Sequence, residues 1–260
     1  MEEKMAEEPQ SEPIPWTVWD MAKGIGLVIV FTILISFGLG IGTTLLIDSA
    51  ALVDLASQGL SITELIAGFF DLLESEGLLM QWLIIVFVGM VVSEGAMVFG
   101  SWWFSAFKYK CGWRALGFRR FKVKRGLIFA AVVVLAGLIM SFLYDMLVTS
   151  DESVTLEFTE TGLGWAIIAL LAVVVAPVAE ETFFRGFLFS GLGNRYGYGW
   201  GAVFSALLFS LAHMLQPGAF LPIFLLGLLL AWLYVKTGSI WACIFTHFAY
   251  NSIALIFMII

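Results

Sequence analysis

Three charged side chains stand inside one of the most apolar stretches of this chain. Ala176–Gly186 reads APVAEETFFRG, with an apolar run from Trp165 to Val175 before it and GFLFSGL after it. A charge at the bilayer centre costs about 2.5–3.5 kcal/mol on insertion scales, so charges kept there usually face a bundle interior and mark function. In a helix Glu181 and Arg185 stand at i and i+4, on one face and able to pair. Glu180 points about 100° away from Glu181. One glutamate has a counter-charge built in, and its neighbour is free for other work. Pro177 cannot donate to the carbonyl of Val173, which loosens the helix just upstream.

The chain's two histidines complete the set. His213 lies in FSLAHM with Phe209 one turn before it, and His247 lies in THFAYN with Asn251 one turn after it. Each pair shares a helix face. An acid/base carboxylate, an imidazole to share proton transfer and donors for a developing oxyanion are the parts of a hydrolytic site. Plainer readings exist for each part. Glu181–Arg185 works as structural glue, a lone histidine satisfies a neighbour, and His247–Asn251 makes an interhelical contact worth about 0.6 kcal/mol. Their occurrence together in neighbouring helices favours a site. Glu94, in VVSEGAM, is a further buried acid with no motif around it, read as a structural partner or a lining residue.

The elements that carry these residues are membrane helices. Of 260 residues 61% are hydrophobic and 13% charged, with mean hydropathy +0.99, where soluble domains hold about 25% charged residues. Runs such as LIIVFVGMVV show no strict alternation, which excludes a β-barrel, and backbone polar groups in hydrocarbon then require helices. The fold class is all-α: a polytopic membrane bundle of seven to eight transmembrane helices with the active site buried between the C-terminal ones. Spans are predicted over 17–47, 78–107, 126–148, 163–192, 200–215, 220–235 and 239–260, with GNRYGYG, QPGA and KTG as breakers. Residues 1–15 form an acidic tail. Residues 16–125 hold N-terminal membrane helices, an acidic interfacial segment (48–77) with apolar residues at helical spacing, and a basic loop (108–125). Residues 126–260 form the catalytic core.

Eight of the 13 Lys and Arg fall between Lys108 and Arg125. Between two spans such a cluster marks a cytoplasmic loop near anionic lipid and not a nucleic-acid site. The bias puts the N-terminus, GNRYGYG and Lys236 inside, and the acidic segment and the C-terminus outside. The apolar run 24–47 is too long for a signal peptide and is expected to be a retained span. Cys111 and Cys243 read as free thiols.

With these residues in view a family resemblance becomes specific. EETFFR resembles the EExxxR motif of the CAAX prenyl protease and bacteriocin-processing family (CPBP, or ABI), whose members are intramembrane proteases. Phe209–His213 resembles its FxxxH motif and His247–Asn251 its HxxxN motif, in order, and RALGFRR (Arg114–Arg120) resembles the segment that often precedes the family core. The resemblance covers residues 164–260. It implies that Glu180 activates the hydrolytic water with His213 assisting, that His247 and Asn251 form the oxyanion hole, and that Glu181 and Arg185 orient the site, with Phe209 shaping it. It implies a cell-membrane endopeptidase acting on a prenylated CAAX protein or another small membrane-associated peptide.

Two competing functions follow from the same residues: a non-proteolytic scaffold or bacteriocin self-immunity protein, and a small transporter or proton relay. Partners are the lipid bilayer and the peptide or prenylated protein, with no nucleic acid. No cofactor is expected. Zinc held by Glu180, His213 and His247 is the alternative, less favoured because HExxH is absent and Asn251 suits an oxyanion better than a metal.

Overall fold

A computed structural model describes residues 14–47, 49–147, 162–214 and 219–259. The tail as far as residue 13, the acidic connector over 148–161, Asp48 and the QPG of the QPGA breaker lie outside these. The described residues are helical and contain no strand. Helix α1 is Val18–Leu46, α2 Ser49–Ser57, α3 Ile62–Ser75 and α4 Leu79–Ser101, which continues as a π-helical turn Trp102–Phe107. After a 3-10 turn Trp113–Leu116 comes α5, Val123–Leu147. Residues 162–196 form one long rod, α6, and α7 (Tyr198–Ala212), α8 (Phe220–Thr237) and α9 (Ile240–Ile259) complete the bundle.

Among the described residues six helices are long and apolar enough to cross a membrane: α1, α4 with its π turn, α5, α6, α8 and α9. Helix α7, expected as a span, has only 15 residues, about 22 Å at 1.5 Å per residue, short of a 30 Å hydrocarbon layer. The chain is thus a multi-pass helical membrane protein. Its helices are not equivalent. Over half of the most apolar window of α6 is buried inside the protein, against 6% for α1. The rod that carries the charges is the centre of the bundle.

Its aromatic residues explain this. Phe183, Phe184 and Phe187 pack with Leu188, Trp16, Met21, Ala106, Leu116 and Phe209 into the main core. A second cluster joins Val133 of α5 to Leu226, Leu230 and Leu233 of α8 and Cys243 of α9. A third, Ile47 with Phe70 and Leu73, seats the short amphipathic α3 against the start of α4, as the helical spacing of 48–77 predicts. Ser61 and Glu64 form a capping box at the start of α3, and the two Ser61 hydrogen bonds hold the exposed Glu64 carboxyl below its ordinary value.

The basic loop is tied into the bundle. Lys108 Nζ pairs with Asp20 Oδ1 at 2.5 Å, and the Tyr109 hydroxyl donates to Asp20 Oδ2 at 2.7 Å. Asp20 itself caps α1 through Thr17. The Asp20 carboxylate holds the Lys108 ammonium above its ordinary value. Further along, Leu116 is fully buried, Ile240 N–H donates to Gly117 O at 2.8 Å and the Ser239 hydroxyl donates to Arg119 O at 2.5 Å. The start of α1, the basic loop, the C-terminal part of α6 and the start of α9 therefore sit at one end of the bundle. Trp16 Nε1–H, donating to Phe187 O at 3.0 Å, closes the same end.

Candidate active site

Helix α6 is α-helical only in pieces. It passes from Gly162–Ala169 through a π-helical stretch Leu170–Val175 to Ala176–Glu180, then through a second π-helical stretch Glu181–Phe189 to Ser190–Tyr196. Such π segments inside α-helices are frequent at functional sites. Here the change of winding falls between the two glutamates. Glu180 ends the α segment, and Glu181 opens the π segment.

Both carboxylates turn inward, with Glu180 6% exposed, Glu181 fully buried and Arg185 1% exposed. Arg185 Nη1 lies 3.0 Å from Glu181 Oε1, the i,i+4 pair expected from the sequence. Glu181 Oε1 also meets His247 Nδ1 at 2.8 Å. A carboxylate only accepts, so Nδ1 carries the proton and His247 Nε2 is aimed at Glu180, whose Oε2 lies 3.8 Å away. On the other side of Glu180, His213 Nε2 is 3.4 Å from Oε1. The ring of His213 is fixed by Nδ1, 2.8 Å from Phe209 O, and a carbonyl likewise requires Nδ1–H there. Glu180 thus stands between two imidazoles that both present Nε2.

Phe209 holds the four groups in register. The Arg185 guanidinium lies 4.3 Å over its ring, a cation–π contact. Its edges meet His213 at 4.9 Å, His247 at 5.9 Å and Phe184 at 5.1 Å. Asn251 donates one Nδ2–H to Ala172 O in the first π segment at 2.7 Å. An amide nitrogen has two hydrogens, so one remains for another acceptor.

Close helix approach behind Phe209 depends on Gly227 of α8. A Cβ there would fall 2.9 Å from the Cβ and 3.0 Å from the Cα of Ala206, and Arg185 Nη2 reaches the Gly227 carbonyl at 3.4 Å. Gly227→Val is expected to cost about 1–3 kcal/mol by overpacking, read as a lower thermal midpoint in detergent. An unchanged midpoint would mean that α7 and α8 separate freely.

The structure brings together Glu180, Glu181, Arg185, Phe209, His213 and His247, with Asn251 one turn beyond His247 on the same helix. It adds Glu94, within electrostatic reach of Glu180 and His213. Sequence reading placed Glu94 as a structural or lining acid, and its only signal was a lone charge in an apolar run. Among the described residues no group of three or more His, Cys, Asp or Glu is arranged to hold a metal ion, the zinc alternative of Glu180, His213 and His247 included.

Residues 162–253 match the family model described as type II CAAX prenyl endopeptidase Rce1-like. The matched segment covers about a third of the chain. It contains all seven motif residues from Glu180 to Asn251 and excludes Glu94. Among curated relatives, the chain is 27% identical over 90 residues to "Putative membrane peptidase YdiL" of Bacillus subtilis (strain 168), covering 35% of this chain and 36% of that one. It is also 27% identical over 113 residues to "Uncharacterized 24.3 kDa protein" of Escherichia coli, covering 42% and 52%. The match thus spans about a third and about half of the length of these two relatives. No solved structure matches the chain.

Proposed function

We propose that the chain is an intramembrane endopeptidase of the CAAX prenyl protease type that hydrolyses a peptide bond with a glutamate-activated water. The observation that carries this reading is Glu180, buried and flanked by His213 at 3.4 Å and His247 at 3.8 Å. Glu180 takes a proton from water while the water oxygen bonds to the scissile carbonyl carbon. The carbonyl electron pair moves onto its oxygen, where the free N–H of Asn251 stabilises the charge, together with the imidazolium form of His247, which keeps both its ring protons through the step. Collapse breaks the C–N bond. The proton on Glu180 passes to His213 Nε2 and from there to the departing nitrogen, so water is consumed and acid and amine are released. Glu181 acts as the carboxylate that fixes the tautomer and aim of His247, in the way a buried aspartate orients the histidine of a serine protease triad.

A farnesylated peptide ending in a three-residue extension after the modified cysteine is the first substrate to try. Release of the tripeptide by purified protein in nanodiscs, detected by mass spectrometry, is expected. Wild-type release that Glu180→Ala and His213→Ala both leave unchanged would end the reading. A partner-binding role that survives Glu180→Gln would favour the scaffold instead. Activity is expected to persist after exhaustive chelation, and loss restored by zinc would contradict the metal-free mechanism. Asn251→Ala is expected to lower kcat by about 10²-fold, the low end for removing one oxyanion donor, with KM little changed. An unchanged kcat would remove Asn251 from the oxyanion site.

The Lys and Arg bias favours an orientation with the basic loop and the start of α1 cytoplasmic. The acidic α2–α3 segment then faces the opposite side.

A further inference from the structure

Glu94 lies outside the Rce1-like segment, on α4. Glu94, Met97 and Ser101 fall on one helix face by steps of three and four. Ser101 is fully buried, and Met97 packs against the core formed by Phe183, Phe184, Phe187 and Phe209. That face of α4 therefore looks onto the part of α6 that carries the site. Glu94 interacts electrostatically with both Glu180 and His213. Its Oε2 is enclosed and has no hydrogen-bond partner among the described residues. Enclosing an oxygen in this way costs free energy that packing alone does not return, and an apolar side chain would fill the place more cheaply.

We infer that Glu94 is a further catalytic residue, whose free oxygen accepts the second O–H of the water that Glu180 deprotonates. The inference rests on the hydrolytic reading proposed above. A water has two O–H bonds, and the base takes one. Fixing the other fixes the direction of the oxygen lone pair that attacks, and misplacement by about 1 Å can cost 10²-fold in rate. The O–H held by Glu94 stays intact through the attack. Only the O–H facing Glu180 breaks, and its proton follows the route through His213. Glu94 thereby makes the N-terminal half of the chain part of the site.

Glu94→Gln keeps one oxygen acceptor, whereas Glu94→Leu keeps none. In nanodiscs with the farnesylated peptide, Glu94→Leu is expected to lower kcat by about 10²-fold, with KM within twofold of wild type. Glu94→Gln is expected to stay within about tenfold of wild type, because one acceptor remains. The thermal midpoint of Glu94→Leu is expected to equal or exceed that of wild type, since removing an acid with one enclosed, unpartnered oxygen relieves a cost. The inference is overturned by a Glu94→Leu enzyme as fast as wild type, by equal losses in Leu and Gln variants, or by a midpoint that falls with the activity. A wild-type protein that cleaves no peptide sinks the protease reading and this inference together. An active wild type with an unaffected Leu variant sinks the inference alone.

Discussion

Glu180→Gln is expected to lower the proposed peptide hydrolysis by about 10³–10⁴-fold, near the upper end for loss of a general base, and to leave the protein folded. Glutamine has the shape of glutamate and cannot take a proton from water at neutral pH. The substitution therefore removes the chemistry and keeps the packing. Little else changes, because Glu180 makes no pair with Arg185, whose ion partner is Glu181. The measurement is kcat on a farnesylated peptide together with a thermal melt. Rapid turnover by a folded Glu180→Gln protein would show that another group activates the water.

Arg185→Leu acts on stability. Glu181 is fully buried, and among the described residues the guanidinium beside it is its one cation with a fixed charge. Removing one partner of a buried ion pair leaves the other uncompensated, at about 3–5 kcal/mol. The same change strips the cation–π contact to Phe209 and the reach to Gly227 O, so α6, α7 and α8 loosen together. Arg185→Lys restores charge and not the planar fork, and is expected to recover only part of the loss. The double variant Glu181→Met with Arg185→Met should be more stable than Arg185→Leu alone, because it leaves no lone charge. Unfolding in mixed micelles measures all three. A double variant less stable than Arg185→Leu would mean that the pair holds the fold by more than mutual compensation.

Much of this site was legible in the sequence. Charges in an apolar helix are costly enough that Glu180, Glu181 and Arg185 had to face inward, and i,i+4 spacing alone gave the Glu181–Arg185 pair. Phe209 and His213, or His247 and Asn251, were each readable as one helix face. What spacing could not give was which partner each imidazole takes across helices. The resemblance implied an oxyanion role for His247 without naming its partners, and the fold pairs its Nδ1 with Glu181 and turns Nε2 toward Glu180. Pro177 marked a loosening near Val173 but not its form, the π-helical winding of 170–175, and nothing in ETFFRGFLF announced that of 181–189. It matters because Ala172, which anchors Asn251, lies in the first of these segments. The short α7 was overcounted as a full span because its apolar run continues beyond the helix end at Ala212. Glu94 was legible as a buried acid and not as a neighbour of Glu180, because contact between α4 and α6 is set by packing across more than 80 residues of chain.

The sharpest test is whether one base and one imidazole work as a unit on a single nucleophile. Rates of tripeptide release are to be compared for wild type, Glu180→Gln, His213→Gln and the double variant. Residues acting as a unit are strongly non-additive, so the double variant should be no slower than the slower single one. Losses that multiply, or a single variant that keeps wild-type speed, would contradict the pairing of Glu180 with His213.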